Sequence, residues 1–169
     1  MYLTIETERL KLRPIAQQDA AFMVQLLNSK AWLKYIGDRN VSNKEEAKHY
    51  IRHILNTEDF YYSVFELKET RQAIGIISFM KRADEKFPDL GFALLPTHEK
   101  KGYALEAAKA YLEHLTSTKK YKQIIAITLP NNQQSIALLG KLDFHFIGES
   151  QKENNLLTYY GLKLDNAPG

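Results

Sequence analysis

The segment Gly91–Leu115 limits the possible folds of this chain more than any other segment. A β-forming run, Leu90–Leu95, ends at a proline, and a short polar loop then leads into a helix at Gly102. The first turn of a helix has backbone N–H groups without helical partners and a partial positive charge, so this junction suits a phosphate. Lys100 and Lys101 add positive charge, and Gly102 lets the backbone approach a ligand closely. The segment therefore predicts a strand–loop–helix unit that binds a diphosphate.

Hydrophobic periodicity predicts the remaining elements. The predicted strands are Arg9–Arg13, Phe60–Lys68, Ala73–Arg82, Leu90–Leu95, Gln123–Leu129, Phe144–Glu149 and Leu156–Leu164. The predicted helices begin near Asp19, at a capping box Ser42–Glu45, at Gly102 and at Ser135. Residues 69–72 are polar and predict a hairpin turn between the second and third strands. The order β-αα-βββ-α-β-α-ββ predicts one mixed α/β domain over residues 1–169.

Composition excludes several classes of protein. Hydrophobic residues make up 44% of the 169 residues and charged residues 25%, which is ordinary for a globular domain. The net charge of +3 gives a mild preference for anionic ligands and predicts no nucleic-acid binding. There is no cysteine, which excludes disulfides, thiolate metal ligands and a cysteine nucleophile. The sequence has no long apolar run and no signal-peptide core, which predicts a cytoplasmic protein without a membrane span.

Metal and nucleotide motifs are also weak. His49 and His53 are four residues apart on one helix face, which is a ligand spacing. The accompanying glutamate of the H-E-x-x-H motif is missing and no third ligand is near in sequence, so we expect no metal site. The glycines form neither a P-loop nor a Rossmann fingerprint, and no G-x-S-x-G nucleophile elbow is present.

Two motifs resemble those of the GNAT superfamily of acetyl-CoA-dependent N-acyltransferases. Glu99-Lys100-Lys101-Gly102-Tyr103-Ala104 is similar to the family loop Gln/Arg-x-x-Gly-x-Gly/Ala. Asn132-Gln133-Gln134-Ser135, followed by Lys141-Leu142-Asp143-Phe144, is similar to Asn-x-x-Ser/Ala … Lys-Leu-Gly-Phe. Residues 8–14 and 34–39 resemble the ribosomal-protein-alanine acetyltransferase-like branch. The resemblance covers nearly the whole chain and implies a mixed, mostly antiparallel central sheet of about seven strands flanked by four helices.

The resemblance implies that acetyl-CoA is the cosubstrate. The backbone amides of residues 100–105 would hold its diphosphate, and backbone groups of Phe92 and Leu94 would pair with its pantetheine arm. Asn132 and Ser135 would line the opposite wall. The implied cofactor-binding residues are Phe92, Leu94, Glu99, Lys100, Lys101, Gly102, Tyr103, Ala104, Leu105, Asn132 and Ser135.

Three positions depart from the family pattern. Glu99 replaces Gln or Arg and places an acid beside the expected diphosphate, where the neighbouring lysines would offset its charge. Asp143 replaces Gly, and Asp tolerates the left-handed backbone conformation better than most residues. Leu139 stands where many family members carry a tyrosine general acid, so that role is unassigned.

The implied reaction is direct attack of a neutral amine on the thioester. An α-amine with a pKa near 8 is about one-tenth neutral at pH 7, whereas a lysine with a pKa near 10.4 is neutral less than about a thousandth of the time. Because no strong base stands out, an α-amine or another amine of low pKa is favoured. The acceptor is either a protein N-terminus or a small-molecule amine such as a polyamine or aminoglycoside.

The residues available for catalysis and acceptor binding each have a plain structural alternative. Asp89 is either a base or water-positioning group, or a solvated carboxylate at a strand end. The second interpretation is favoured because most aspartates in proteins are exposed. Ser135 donates a proton to the leaving thiolate or caps its helix. Arg39 and Tyr159 are the expected substrate-binding residues. The structural alternative for Arg39 is a surface ion pair, and the alternative for Tyr159 is packing within its strand.

The alternative function is an acetyl-CoA-binding sensor or interaction module with little turnover. It is motivated by Leu139 and Glu99, the two departures closest to the chemistry. The sequence is compatible with a monomer or a homodimer.

Overall fold

The computed structural model describes residues 3–164, and within them eight strands form one sheet. The strands are β1 (Ile5–Glu6), β2 (Leu10–Pro14), β3 (Phe60–Leu67), β4 (Ala73–Met80), β5 (Asp89–Leu94), β6 (Gln123–Thr128), β7 (His145–Lys152) and β8 (Asn155–Lys163). The helices are α1 (Ala20–Leu27), α2 (Lys30–Tyr35), α3 (Lys44–Asn56), α4 (Tyr103–Thr118) and α5 (Gln133–Lys141). Short 3₁₀ turns lie at Gln17–Asp19 and Pro96–His98. The strand order is β1-β2-β3-β4-β5-β6-β8-β7.

The mixed, mostly antiparallel sheet is confirmed, with two elements that the sequence did not predict. One is the two-residue strand β1, and the other is the six-residue helix α2. The predicted capping box was placed one residue too early. Asn43 is the N-cap of α3 and accepts from the Glu46 N–H at 3.0 Å, while the Glu46 carboxylate accepts from the Ser42 N–H at 2.7 Å. Asn and Ser both cap helices well, so the pattern alone did not separate them.

The sheet buries an apolar cluster on each of its two faces. Neighbouring residues of a strand point to opposite faces, so Val64 packs with α1, α2 and α3, whereas Phe65 packs with α4 and α5. The same alternation places Ile76 in the first cluster and Ile77 in the second. Both faces of the sheet are thus covered, which fits the long apolar runs of β3 and β4.

A buried charge cluster fixes the helical layer of α1–α3 to the sheet. Arg13 on β2 contacts Asp19, in the turn before α1, with Nη2 and Oδ1 2.8 Å apart. Its Nε lies 2.8 Å from Oε2 of Glu66 on β3. Asp19 and Glu66 are both buried, so the guanidinium must neutralise them in place.

The sheet opens between β5 and β6, and this opening positions the site. On its other side β5 pairs with β4 along its whole length, from Asp89 opposite Met80 to Leu94 opposite Gly75. Towards β6, the only parallel neighbour, it pairs only at Asp89 opposite Ile125. Backbone groups of β5 beyond that pair therefore face a gap, which we call the β5–β6 gap.

Candidate active site

Two adjoining cavities occupy the β5–β6 gap. The first cavity has a volume of about 330 Å³ and lies at the starts of α4 and α5. The second has a volume of about 400 Å³ and lies against α3, β3 and β4. The residues that line both are Trp32, Tyr35, Ile36, Phe92, Ala93, Asn132 and Ser135. Because the cavities share these walls, ligands in the two would meet across the open edge of β5.

The first cavity contains the predicted diphosphate junction. Gly102 is the N-cap of α4 in the left-handed conformation, with φ of +80°, and no side chain caps the helix. The first bond within the helix runs from the Glu106 N–H to the Gly102 carbonyl, so the N–H groups of residues 103–105 have no helical partner. An anion is the expected occupant of such a helix start.

The structure gathers the predicted cofactor residues around this cavity, with one exception. The lining includes Phe92, Leu94, Glu99, Lys100, Gly102, Tyr103, Ala104, Leu105, Asn132 and Ser135. Lys101 does not line it, and its carbonyl instead accepts from Arg9 Nη1 at 2.9 Å. Glu99, which replaces the Gln or Arg of the family loop, is half-buried, and Gln134 Nε2 lies 3.5 Å from its Oε2.

The N-terminal turn braces the loop before α4. The Arg9 Nε donates to Glu106 Oε2 at 2.7 Å, and the Thr7 hydroxyl donates to Glu106 Oε1 at 2.6 Å. Burial acts to raise the pKa of Glu106, but the hydrogen bonds from Thr7 and Arg9 outweigh burial and hold it below its ordinary value. The Arg9 guanidinium also lies 4.4 Å from the centroid of the Tyr103 ring. This clamp joins residues 97 positions apart, which is why local sequence patterns did not predict it.

The start of α5 forms the opposite wall of the first cavity. Asn132 caps this helix, because its Oδ1 accepts from the Ser135 N–H at 3.2 Å. The alternative of Ser135 as the cap is therefore wrong, and its hydroxyl has no hydrogen-bond partner among residues 3–164. Leu139 is buried and lines the second cavity without a proton donor. Asp143 adopts φ of +63°, as expected for a residue in place of glycine.

Asp89 lines the second cavity and is only 4% exposed, so the expectation of a solvated strand-end carboxylate is wrong. Its Oδ2 accepts from Arg82 Nε at 2.9 Å, whereas no residue in the described range donates to its Oδ1. Burial raises the pKa of Asp89, and the positive charge of Arg82 opposes that rise. The result is a buried carboxylate with one oxygen left without a donor among the described residues.

The two predicted substrate residues lie in different places. Arg39 lines the second cavity, and its guanidinium carbon lies 6.0 Å from the centroid of the Trp32 ring. Tyr159 lines neither cavity and donates its hydroxyl to Glu85 Oε1 at 2.9 Å. Burial raises the pKa of Tyr159, which keeps the hydroxyl protonated as a donor. Its contacts tie β8 to the loop before β5, so a substrate role for Tyr159 stays a prediction.

Several wall residues were missed because α2 was missed. Trp32, Tyr35 and Ile36 come from this helix or its end and line both cavities. The available signals were Ser29, whose hydroxyl accepts from the Trp32 N–H at 3.4 Å as N-cap, and Gly37 just beyond the helix. A six-residue helix carries too little periodicity to stand out.

The two histidines spaced four residues apart, His49 and His53, both lie on α3. His53 lines the second cavity, and residues 3–164 contain no group of three or more His, Cys, Asp or Glu that could hold a metal ion. None of the helices within that range is long and apolar enough to span a bilayer.

Two proteins of related sequence match this chain over most of their length. YoaA, an uncharacterized N-acetyltransferase of Bacillus subtilis (strain 168), is 27% identical over 163 residues, which cover 94% of this chain and 89% of that protein. An uncharacterized N-acetyltransferase, p20, of Bacillus licheniformis is 29% identical over 161 residues, 92% of this chain and 86% of that protein.

Solved structures match over the whole fold. A ribosomal-protein-S5-alanine acetyltransferase from Vibrio fischeri superposes with a TM-score of 0.83 at 19% identity, covering 99% of this chain and 100% of that one. RimL, a ribosomal L7/L12 α-N-protein acetyltransferase solved in complex with coenzyme A, superposes with a TM-score of 0.84 at 18% identity, covering 98% of this chain and 100% of that one. The family description "Acetyltransferase (GNAT) domain" matches residues 9–145. The chain therefore belongs to the GNAT family and is an acetyl-CoA-dependent N-acetyltransferase.

Proposed function

We propose that this enzyme acetylates a primary amine, of a protein N-terminus or of a small molecule, by direct attack of that amine on acetyl-CoA. The observation that carries the proposal is the meeting of two cavities at the open edge of β5. One cavity has the features of an anion site, and the other contains a buried carboxylate. A cosubstrate and an acceptor entering from opposite sides would place their reacting groups at the shared wall.

The first cavity fits acetyl-CoA. The unpartnered N–H groups of residues 103–105 would bind its diphosphate, with Lys100 at the cavity edge and Lys101 beside it adding positive charge. The backbone of Phe92 and Leu94 lies on the unpaired side of β5, where an extended pantetheine arm would complete the strand edge. When bound, acetyl-CoA supplies a thioester whose carbonyl carbon accepts the amine and whose thiolate leaves.

Two side chains would move the protons. Asp89 would accept a proton from the incoming ammonium through its free Oδ1, directly or through a water, while Arg82 holds the carboxylate in place. Its burial raises its pKa towards the pKa of the amine, which makes it a better base than an exposed aspartate. Ser135 lines both cavities and has a free hydroxyl, so it is our proposed donor to the leaving thiolate.

The acceptor in this proposal has a low-pKa amine, because Asp89 is a weak base for a lysine side chain. Arg39 is the proposed acceptor-binding residue. A cytoplasmic location and a monomeric or homodimeric state stay predictions.

The test is acetyl transfer by the purified chain to a panel of peptide N-termini, polyamines and aminoglycosides. We expect amine-dependent release of coenzyme A, together with the mass increase of the amine that follows from replacing one N–H hydrogen by an acetyl group. Asp89→Asn should lower kcat/KM for the amine by about 100-fold and leave acetyl-CoA affinity unchanged. Acetyl-CoA binding without transfer to any amine would favour the alternative of a binding module. The buried Leu139 supports that alternative because its side chain has no proton to donate.

A further inference from the structure

The second cavity has an unbalanced charge. The charged side chains that line it are Arg39, Arg82 and Asp89, together with the imidazole of His53. Asp89 is neutralised by Arg82, whose Nε lies 2.9 Å from Oδ2. No residue in the described range forms an ion pair or hydrogen bond with the Arg39 guanidinium. The cavity therefore has a net positive charge with one guanidinium left to bind a ligand.

Arg39 lines the second cavity from an exposed position, so its side chain is open to solvent as well as to the cavity. Its guanidinium carbon lies 6.0 Å from the centroid of the ring of Trp32, a residue that is only 4% exposed. Burial raises the pKa of the Tyr62 hydroxyl, and the positive charges of Arg39 and Arg82 both oppose the rise. Both guanidinium groups thus act on the same buried hydroxyl, so their fields add within the cavity.

The remaining walls, as far as the structure describes them, add no second carboxylate to balance the charges of a polycation. They are aromatic, apolar or polar without charge, the polar ones including Ser78, Thr128, Asn132 and Ser135. Asp89 is the single carboxylate among the described lining residues. A polyamine or aminoglycoside would bring several positive charges to a cavity that already carries one in excess. Like charges repel one another, so this excess positive charge disfavours a polycation.

We propose that the acceptor is a primary amine that also carries a carboxylate, and that Arg39 binds this carboxylate while the amine lies towards Asp89. The proposal rests on the proposed function and narrows its acceptor class. A planar guanidinium matches a carboxylate with two parallel N–H···O bonds, which fixes orientation as well as charge. The carboxylate comes either from a free amino acid or from an acidic side chain near a peptide N-terminus.

Two matched pairs of acceptors distinguish these sources. L-leucine is compared with L-leucinamide, and the peptide amide Ser-Glu-Ala-Ala with Ser-Gln-Ala-Ala, each at equal concentrations of unprotonated amine; spermidine represents the polycations. In at least one pair we expect kcat/KM to be about tenfold higher for the acid, and spermidine to be the poorest acceptor. The pair with the larger ratio identifies the source of the carboxylate.

Variants assign the preference to Arg39. Arg39→Gln should bring the acid-to-amide ratio close to one without changing acetyl-CoA affinity. Arg52→Gln removes an equal charge from the exposed side of α3, outside both cavities, and should keep the wild-type ratio. A wild-type ratio near one in both pairs, or an Arg39→Gln variant that keeps the preference, would overturn the proposal.

A binding measurement separates this proposal from the proposed function. The N-acetylated form of each acceptor is titrated calorimetrically into protein saturated with coenzyme A. We expect the acid forms to bind about tenfold more tightly than the amides, and Arg39→Gln to lose that difference. If no amine is acetylated at all, the proposed function fails, yet this titration still supports or overturns the carboxylate site.

Discussion

Gly102 combines a left-handed backbone with the N-cap position of α4, so its missing side chain leaves the helix start open to a ligand. A Cβ at this position would lie 3.3 Å from Arg9 Nη2, the arginine that braces the loop. A carboxylate there would occupy the anion site itself and repel a diphosphate.

We therefore expect Gly102→Asp to weaken acetyl-CoA binding by more than about tenfold in calorimetric titration. The matched control is Gly140→Asp in α5, which adds the same charge where no atom outside the adjacent residues and the backbone of α5 lies within 4 Å of the new Cβ. Equal affinity of the Gly102→Asp variant and wild type would show that the diphosphate binds elsewhere.

Ser135 lines both cavities, and its hydroxyl has no hydrogen-bond partner among residues 3–164. If its free hydroxyl protonates the thiolate, Ser135→Ala should lower kcat by about 10- to 100-fold while the Kd for acetyl-CoA stays the same. Ser150→Ala on β7, outside both cavities, is the control. Since Asn132 and not Ser135 caps α5, a loss of helix stability should not accompany the change. An unchanged kcat would remove Ser135 from the mechanism.

At the scale of elements, β5 is held in place by its tight packing on β4. A Cβ at Gly75 would overlap the Phe65 ring and lie 2.6 Å from the Ala93 carbonyl oxygen. Gly75→Ala should therefore lower the free energy of unfolding by about 1–3 kcal/mol in urea denaturation. Gly140→Ala, in an open helical position, should instead raise it by about 0.5–1 kcal/mol. Two effects of the same sign would contradict this packing account.

Features formed by contiguous residues were predictable from the sequence, whereas contacts between distant segments were not. The β5–α4 junction was predictable because its glycine, lysines and helix start are contiguous, and the structure places the N-cap at the expected glycine. The burial of Asp89 was not, because it depends on pairing with Ile125 of β6, which is distant in sequence, and on how the loop before β5 folds to bring Arg82 to the carboxylate. The Arg9–Glu106 clamp was missed for the same reason, and α2 because it is short.

For the molecule as a whole, the same clamp couples the N-terminal turn to the site. Glu106 has a lowered pKa in the folded state, so its stabilising effect is complete above the unfolded pKa of about 4.3 and is lost as the pH falls through the lower folded value. Glu106→Gln should lower the free energy of unfolding by about 1 kcal/mol at pH 7. The difference from wild type should shrink towards zero in strong acid.

Denaturant titrations at several pH values measure whether the stability difference between wild type and Glu106→Gln shrinks as the pH falls. Glu113→Gln, on the exposed side of α4, removes the same charge and should change stability little at any pH. A difference between wild type and Glu106→Gln that grows as the pH falls would contradict the clamp.

For the molecule as a whole, we propose that the opening between β5 and β6 is the site for acetyl-CoA. Calorimetric titration of the folded wild-type chain with acetyl-CoA, compared with free coenzyme A, tests it most directly. We predict that both ligands bind one site per chain with micromolar Kd, since the diphosphate and pantetheine contacts are common to them. A folded chain that binds neither ligand at millimolar concentration would contradict the account.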